Sequence, residues 1–364
     1  MNFKQRSILT WVALTVAALL SGCERPPIDA VQHGFRGTAM AEIYNPRIVV
    51  KDLEKNVVPD APPAAAPGGP ASSTVYQNVQ VLGNLSVGEF ARTMASMTAW
   101  VAPEQGCTYC HNAANFASDE KYTKVVARKM LQMTHKINAD YKTHVAETGV
   151  TCYTCHRGNN IPQNVWFTAK PEARSGGMLG DRAGQNTVSV AAAYASLPED
   201  PFTPYFLEAR DIRVQGETAL PTGNRHSTKQ TEWTYSLMNH MSTSLGVNCT
   251  YCHNTRSFGS WETSPPQRVT AWYGIRMVRD LNNTYMKPLT EVFPAHRLGP
   301  TGDVAKTNCT TCHQGAFKPM YGRAMAKDYP AMKGAPSPEL AASAPEVVAL
   351  DAASTAPAVE VAAK

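Results

Sequence analysis

The sequence has no cysteine to spare for a disulfide, no long apolar run after its N-terminal segment, and no strong excess of charge. Eight of its nine cysteines fall into one repeated motif, and the ninth is Cys23. The formal net charge of +5, without any basic run, gives no sign of a nucleic-acid partner. No segment after Cys23 is apolar enough to span a bilayer. With 364 residues, 43% of them hydrophobic, the chain is long enough for one large domain or two ordinary ones.

The first residues, 1–22, are predicted to be a signal peptide of the lipoprotein type. Lys4 and Arg6 precede an apolar stretch, 8–20, that is too short for a comfortable membrane span. The stretch runs into a Leu-Ser-Gly-Cys sequence that resembles a bacterial lipobox, which makes Cys23 the expected lipidated first residue of the mature chain. The alternative is a plain signal peptide with an incidental cysteine. Lipidation would anchor the chain to a bilayer surface without spanning it, outside the cytoplasm.

Four Cys-x-x-Cys-His motifs predict four covalently bound haem c groups. Two thiols three residues apart can reach the two vinyl groups on one porphyrin edge, and the following histidine then lies under the iron. Zinc ribbons and thioredoxin-like pairs do not need that histidine every time. Iron–sulfur clusters are disfavoured because every cysteine pair is followed by histidine. The motifs consist of Cys107, Cys110 and His111; Cys152, Cys155 and His156; Cys249, Cys252 and His253; and Cys309, Cys312 and His313.

The motifs form two pairs within an internal repeat. Segments 89–97 and 233–241 each carry two methionines three residues apart, segments 137–141 and 281–285 are alike, and one offset of 144 residues aligns both sets. This predicts a mainly α fold with much irregular structure, built from two pseudo-twofold-related dihaem halves. The expected divisions after the signal peptide are an N-terminal segment and linker 23–85, a first dihaem half 86–170, a connecting segment 171–226, a second dihaem half 227–330 and a disordered Ala/Pro-rich tail 331–364.

Local signals predict several helix ends. Ser86, Ser227 and Ser264 are each followed three residues later by Glu or Gln, the pattern of a capping box at a helix start. The helix after Asp119 is predicted to run to about Glu147, before a glycine ends it.

The residues alone leave the sixth iron ligands open. Methionine opposite histidine raises a haem's potential, and a second histidine lowers it. Methionines three apart share a helix face, so spacing cannot choose within a pair, and methionine is also a good core filler. The position matching Met130 in the second half is Gly274, so a histidine from elsewhere could serve the fourth haem. The pairs are Met94 and Met97, Met130 and Met133, and Met238 and Met241; the further histidines, each individually more typical of surface or core, are His33, His135, His144, His226, His240 and His296.

A lipobox cysteine, four paired haem motifs and a helix before each motif resemble the tetrahaem cytochrome subunit of purple-bacterial photosynthetic reaction centres. The resemblance covers the chain from Cys23 to about Tyr329. It implies Met94, Met130 and Met238 as distal ligands of the first three haems. It implies His144 as the distal ligand of the fourth.

The resemblance also implies a function. The chain would sit on the periplasmic face of the membrane, lipid-anchored and bound to the reaction-centre core subunits. It would take electrons from a soluble cytochrome c or a high-potential iron–sulfur protein near the first haem. It would pass them to the photo-oxidised bacteriochlorophyll pair near the third haem. The chain would be an electron carrier and not an enzyme.

Two other function classes fit the haem motifs. A multihaem enzyme, such as a peroxidase or nitrogen-oxide reductase, needs an open iron position, whereas this chain offers candidate ligands for all four irons. A respiratory lipoprotein feeding an extracellular acceptor often uses two histidines per iron. Three methionine ligands argue for higher potentials and against that class.

Overall fold

The computed structural model describes residues 28–32, 38–168, 189–215 and 226–335, together with positions 11 and 15. Cys23 lies outside these residues. So do the predicted signal peptide apart from positions 11 and 15, half of the connecting segment and the tail from 336 onward.

Helices dominate the described residues, which contain one short antiparallel hairpin of β1 (Asp29–Gln32) and β2 (Ala41–Tyr44) as their only sheet. The prediction of a mainly α fold with much irregular structure is confirmed. The α-helices are α1 (Pro46–Lys55), α2 (Ser72–Val75), α3 (Val87–Val101), α4 (Tyr122–Asp140), α5 (Lys142–Val145), α6 (Cys152–His156), α7 (Thr228–Leu245), α8 (Gln267–Asp280) and α9 (Cys309–His313).

Short 3-10 and π turns join these helices. Two 3-10 turns coincide with haem motifs, and three lie near the end of the described chain. The 3-10 turns are Gly106–Tyr109, Cys249–Tyr251, Lys287–Glu291, Ala295–Arg297, Pro319–Gly322, Met325–Asp328 and Pro330–Met332, and the π turns are Thr203–Leu207 and Leu281–Met286.

Two of the three predicted helix caps are present. Ser86 Oγ accepts a hydrogen bond from the Glu89 amide at 3.2 Å, and Ser227 forms a reciprocal capping box with Gln230. The prediction that Ser264 caps its helix is wrong, because α8 begins only at Gln267. The Ser264 hydroxyl instead donates to the Ser260 carbonyl.

The helix predicted to reach Glu147 ends earlier, at Asp140. Tyr141 has φ −105° and ψ 33°, outside helical geometry, and its hydroxyl donates to Asp280 Oδ2 of α8 at 2.7 Å. This bond ties the end of α4 to α8 and lets the chain restart as the single turn α5, which carries His144. The break in the helix therefore brings that histidine to α8.

Within the described residues, the apolar core comprises three clusters, which hold the helices on either side of the Cys-x-x-Cys-His motifs. One cluster includes Trp100 of α3 and Leu131 of α4 beneath the C-terminal turns, where Trp100 meets the Tyr329 ring edge-on at 4.6 Å. A second joins α4 to α8 through Met133 and Met277. The third surrounds Leu237 of α7.

Candidate haem-binding sites

The four motifs adopt two local conformations. The first and third form the 3-10 turns Gly106–Tyr109 and Cys249–Tyr251. The second and fourth form the one-turn helices α6 and α9, each opened by a reciprocal capping box. Each of these helices ends in a left-handed residue directly after the histidine, Arg157 at φ 50° and Gln314 at φ 48°.

All four motif histidines are oriented in the same way, by a hydrogen bond from Nδ1 to a backbone carbonyl. A carbonyl can only accept, so Nδ1 carries the proton and Nε2 keeps the lone pair that binds a metal. The first and third histidines bond to the carbonyl five residues on, and the second and fourth to the carbonyl three residues on. The pairs are His111 with Phe116 at 3.0 Å, His156 with Asn159 at 2.9 Å, His253 with Phe258 at 3.0 Å and His313 with Ala316 at 2.9 Å.

Burial favours neutral imidazoles at three of these positions, because an apolar environment disfavours the charged form. Burial lowers the pKa of His156 and of His253. Burial, assisted by the nearby His144, lowers the pKa of His313 to about 4. A neutral imidazole is the form that ligates a metal.

A basic side chain lies behind the first and third motif histidines, a feature that the sequence reasoning missed. Lys124 Nζ donates to the Phe116 carbonyl at 2.8 Å, the same oxygen that accepts from His111. Arg268 donates to the Ser260 carbonyl at 2.6 Å beside the third motif. The two residues are 144 positions apart, so the repeat offset could have identified them as a pair.

A cavity of about 910 Å³ lies between α3, α4 and the first two motifs. Its walls are largely apolar, as a macrocycle requires, and both pairs of candidate methionines of this half are among them. Motif and methionine residues on its wall are Cys107, Cys110, His111, Cys152, Cys155, His156, Met94, Met97, Met130 and Met133. The structure therefore brings two complete motifs and their candidate distal ligands to one cavity.

Packing separates the two methionines of α4. Met133 is only 9% exposed and belongs to the buried cluster that also contains Met277, its repeat equivalent. Met130 lies at the edge of that cluster and is less buried. Met133 thus has a packing role of its own, and Met130 is the methionine with more freedom to face the cavity.

Burial does not distinguish the two candidate methionines of α3, nor the two of α7. Met94 and Met97 are both partly buried against the cluster containing Trp100, and Met238 and Met241 are both partly buried against the cluster around Leu237. Burial does not favour one member within either pair.

His144 lies next to the fourth motif. Its ring centre is 6.1 Å from that of His313, with 66° between the planes. Its Nδ1 donates to the Thr270 carbonyl at 2.9 Å, so both imidazoles have Nε2 free. Two metal–nitrogen bonds of about 2 Å, with each nitrogen about 1 Å from its ring centre, require a separation of roughly 6 Å. The pair therefore has the spacing needed to hold one iron.

The second and fourth motifs touch. Cys155 Sγ lies 2.8 Å from Cys312 Sγ, and the Arg157 guanidinium donates to the Cys312 carbonyl at 3.3 Å. The second and fourth motifs are therefore adjacent.

Burial disfavours the thiolate form at four of the eight motif cysteines, whereas the hydrogen bond with Cys155 lowers the pKa of Cys312. Burial raises the pKa of Cys110 and Cys252 to about 11, and that of Cys152 and Cys309 to about 12. Reactive or metal-binding cysteines have lowered pKa values instead. Among the described residues, no group of three or more His, Cys, Asp or Glu side chains could hold a metal ion.

Two further histidines have structural partners. His240 is buried with its ring edge-on to Phe202 at 4.6 Å, and burial lowers its pKa to about 3. His135 Nε2 donates to the Ala331 carbonyl at 2.8 Å. Their surroundings are those of core histidines. His33 lies outside the described residues.

The fold and these sites define a class, the c-type cytochromes. The family model described as the photosynthetic reaction centre cytochrome C subunit matches residues 24–333, and the chain belongs to this family. Membership implies covalently bound haem c, a role in electron transfer and association with the reaction-centre core at a membrane. In the part of the chain that the structure describes, no helix is both long and apolar enough to cross a membrane.

Curated relatives agree with this assignment. The chain is 59% identical over 336 residues to the photosynthetic reaction center cytochrome c subunit of Rubrivivax gelatinosus, covering 92% of this chain and 91% of that one. It is 50% identical over 355 residues to the subunit of the same name from Thermochromatium tepidum, covering 97% and 87%. The subunit from Roseobacter denitrificans is 38% identical over 342 residues, covering 90% and 92%.

Proposed function

We propose that this chain carries four haem c groups and delivers electrons to the photo-oxidised bacteriochlorophyll pair of the reaction centre. The electrons would come from a soluble cytochrome c or a high-potential iron–sulfur protein. When bound, the haems supply reversible one-electron chemistry. The chain's own part is to fix the ligands, exclude water and set the local charge.

The observation that carries this proposal is the common orientation of the four motif histidines. In each motif Nδ1 is held by a backbone carbonyl 2.9 or 3.0 Å away, which leaves Nε2 available as a proximal ligand. Such second-sphere bonds fix the tautomer and ring direction of a metal-binding histidine.

We assign the distal ligands as Met94, Met130, Met238 and His144 for the first to fourth haems. The cavity of about 910 Å³ supports a ligand from each methionine pair of the first half, because both pairs line it together with the first two motifs. The weaker burial of Met130 supports it over Met133, and Met94 rests on the family resemblance. The 6.1 Å ring separation from His313 supports His144. Met238 rests on the family resemblance and on its place in the repeat.

The local conformations support the idea of two related dihaem halves. The first and third motifs share a 3-10 turn and a histidine bond to the fifth residue on; the second and fourth share a capped one-turn helix. Contact between Cys155 and Cys312 supports a path in which the second and fourth sites are neighbours at the centre and the first and third lie at the ends.

We also propose that Cys23 carries a lipid that holds the chain to the periplasmic face of the membrane. This proposal rests on the lipobox-like sequence before Cys23. Mass spectrometry of the mature N-terminus tests it: a diacylated or triacylated cysteine supports the anchor, and an unmodified N-terminus contradicts it.

Flash excitation of photosynthetic membranes tests the function. Oxidation of c-type haem on the microsecond timescale or faster, together with slow re-reduction of the bacteriochlorophyll pair when the chain is deleted, is the expected result. Re-reduction that is unchanged by the deletion would show that the proposal is wrong.

A further inference from the structure

We infer that Gly274 determines which residue ligates the fourth haem, by leaving open the space that the His144 ring fills. This inference rests on the proposed role of His144 as a distal ligand. The absence of a side chain at position 274 would then decide that the fourth iron takes a histidine rather than a methionine as its distal ligand.

The space above Gly274 is already occupied by the imidazole. A Cβ atom added to Gly274 would lie 2.5 Å from His144 Cε1, 2.8 Å from Nδ1 and 3.1 Å from Nε2. Gly274 is buried in the middle of α8, and its φ is not in the left-handed region. The helical backbone at this position does not require glycine. The close approach of the His144 ring does require it, because a Cβ atom would collide with the imidazole.

The ring cannot retreat without losing its orientation. His144 Nδ1 donates to the carbonyl of Thr270, four residues before Gly274 on the same helix. The single turn α5 is also tied to α8 by the bond from Tyr141 to Asp280. A side chain at position 274 would therefore push the imidazole away from both its carbonyl partner and His313.

The repeat shows what the alternative would be. Position 274 matches Met130, 144 residues earlier, where the helix carries its own candidate ligand. At α8 the methionine is absent and a histidine from α5 takes the adjoining space. One helix position can supply the methionine or admit the histidine, but not both.

The first experiment substitutes Gly274→Ala in the full chain with its haems. Readouts are the electron paramagnetic resonance signal of the bis-histidine haem and the midpoint potential of that haem. We expect that signal to be lost or shifted and the potential to change. Since alanine is the better helix former, a glycine without this role would leave both readouts unchanged.

Gly88→Ala is the matched control. Gly88 is an exposed helical glycine in the first turn of α3, and a Cβ there would meet only the Ala65 methyl, at an ordinary 3.4 Å. Unchanged potentials are expected. If Gly274→Ala likewise keeps the bis-histidine signal and potential, the inference is overturned.

The second experiment combines Gly274→Met with His144→Gly. It tests the inference even if the Gly274→Ala protein does not accumulate in the cell. Appearance of a fourth histidine–methionine haem with a raised potential supports the inference, and a fourth haem without methionine ligation overturns it. The single variant His144→Gly distinguishes a failure of the Gly274 inference from a failure of the proposed ligand assignment. If that variant leaves the fourth haem unaltered, the proposed ligand itself is wrong, whatever Gly274 does.

Discussion

Helices α4 and α8 occupy equivalent positions in the sequence repeat but present different residues to their candidate haem sites. Both keep a methionine, Met133 or Met277, in one shared buried cluster. At the other position α4 has Met130 beside the cavity, whereas α8 has Gly274 against the His144 ring. The comparison teaches that packing between the helices has been retained while the volume at one position has changed. Under the proposed assignments, the distal ligand would therefore differ between the two helices without a change in their packing.

The largest effect on this comparison is expected from His144→Ala. Removal of the imidazole leaves the fourth iron without its distal protein ligand, since Gly274 offers none. A high-spin haem and binding of carbon monoxide to the reduced protein should appear at one haem. Optical and electron paramagnetic resonance spectra check this. Four low-spin haems in the variant would remove the basis for treating α8 as different from α4.

Met130→Ala should have the next largest effect. Loss of a thioether ligand is expected to lower one midpoint potential by on the order of 0.1 V, within the roughly 0.8 V range that axial ligands span. Met133→Leu is the control, because it conserves volume and should cost less than about 1.5 kcal/mol of stability with no change in potential. A redox titration in which Met133→Leu and not Met130→Ala shifts a potential would reverse the assignment within this pair.

Substitution of Lys124, the basic residue behind the first motif histidine, is expected to have a smaller effect. Lys124→Met removes a cation from the carbonyl that orients His111, so oxidation of the first haem should become easier. At about 8 Å and an effective dielectric constant of about 20 the effect is at most about 2 kcal/mol, or roughly 90 mV for one electron. Asp119, 3.3 Å from Lys124 Nζ, offsets part of the charge. Lys124→Arg should retain most of the potential. Equal potentials in Lys124→Met and the unaltered protein would mean that this cation has no part in tuning.

The smallest predicted effect concerns the attachment of α5. Tyr141→Phe removes the hydroxyl that donates to Asp280 at 2.7 Å, which should lower the free energy of unfolding by about 1–2 kcal/mol. Tyr285→Phe, at the repeat-equivalent position, keeps the ring over which Lys129 lies and should have little effect. Chemical denaturation of the two variants measures the difference. Equal losses would indicate that the Tyr141 bond does not secure the turn carrying His144.

Sequence reasoning predicted the motifs, the helical class and two caps because these depend on local patterns. The Ser264 cap and the helix end at Glu147 were predicted wrongly because side-chain hydrogen bonds that the capping and helix-end patterns do not include decide them. Asp280 draws Tyr141 out of the helix, and the Ser260 carbonyl takes the Ser264 hydroxyl. The same kind of contact explains why Lys124 was missed: nothing in its immediate sequence marks the carbonyl it shares with His111.

The ligand assignments were predictable only to the level of pairs. Met130 and Met133 share a helix face, and it is burial against Met277 that distinguishes them. The difference at Gly274 was visible in the sequence, because the repeat aligns this glycine with Met130. The structure then shows the His144 ring packed against it.

A redox titration of the purified subunit, followed by optical and electron paramagnetic resonance spectra, tests the central claim most directly. We expect four low-spin haems, of which three have histidine–methionine ligation and one has bis-histidine ligation that disappears in His144→Ala. Two or more bis-histidine haems, or a high-spin haem in the unaltered protein, would contradict it.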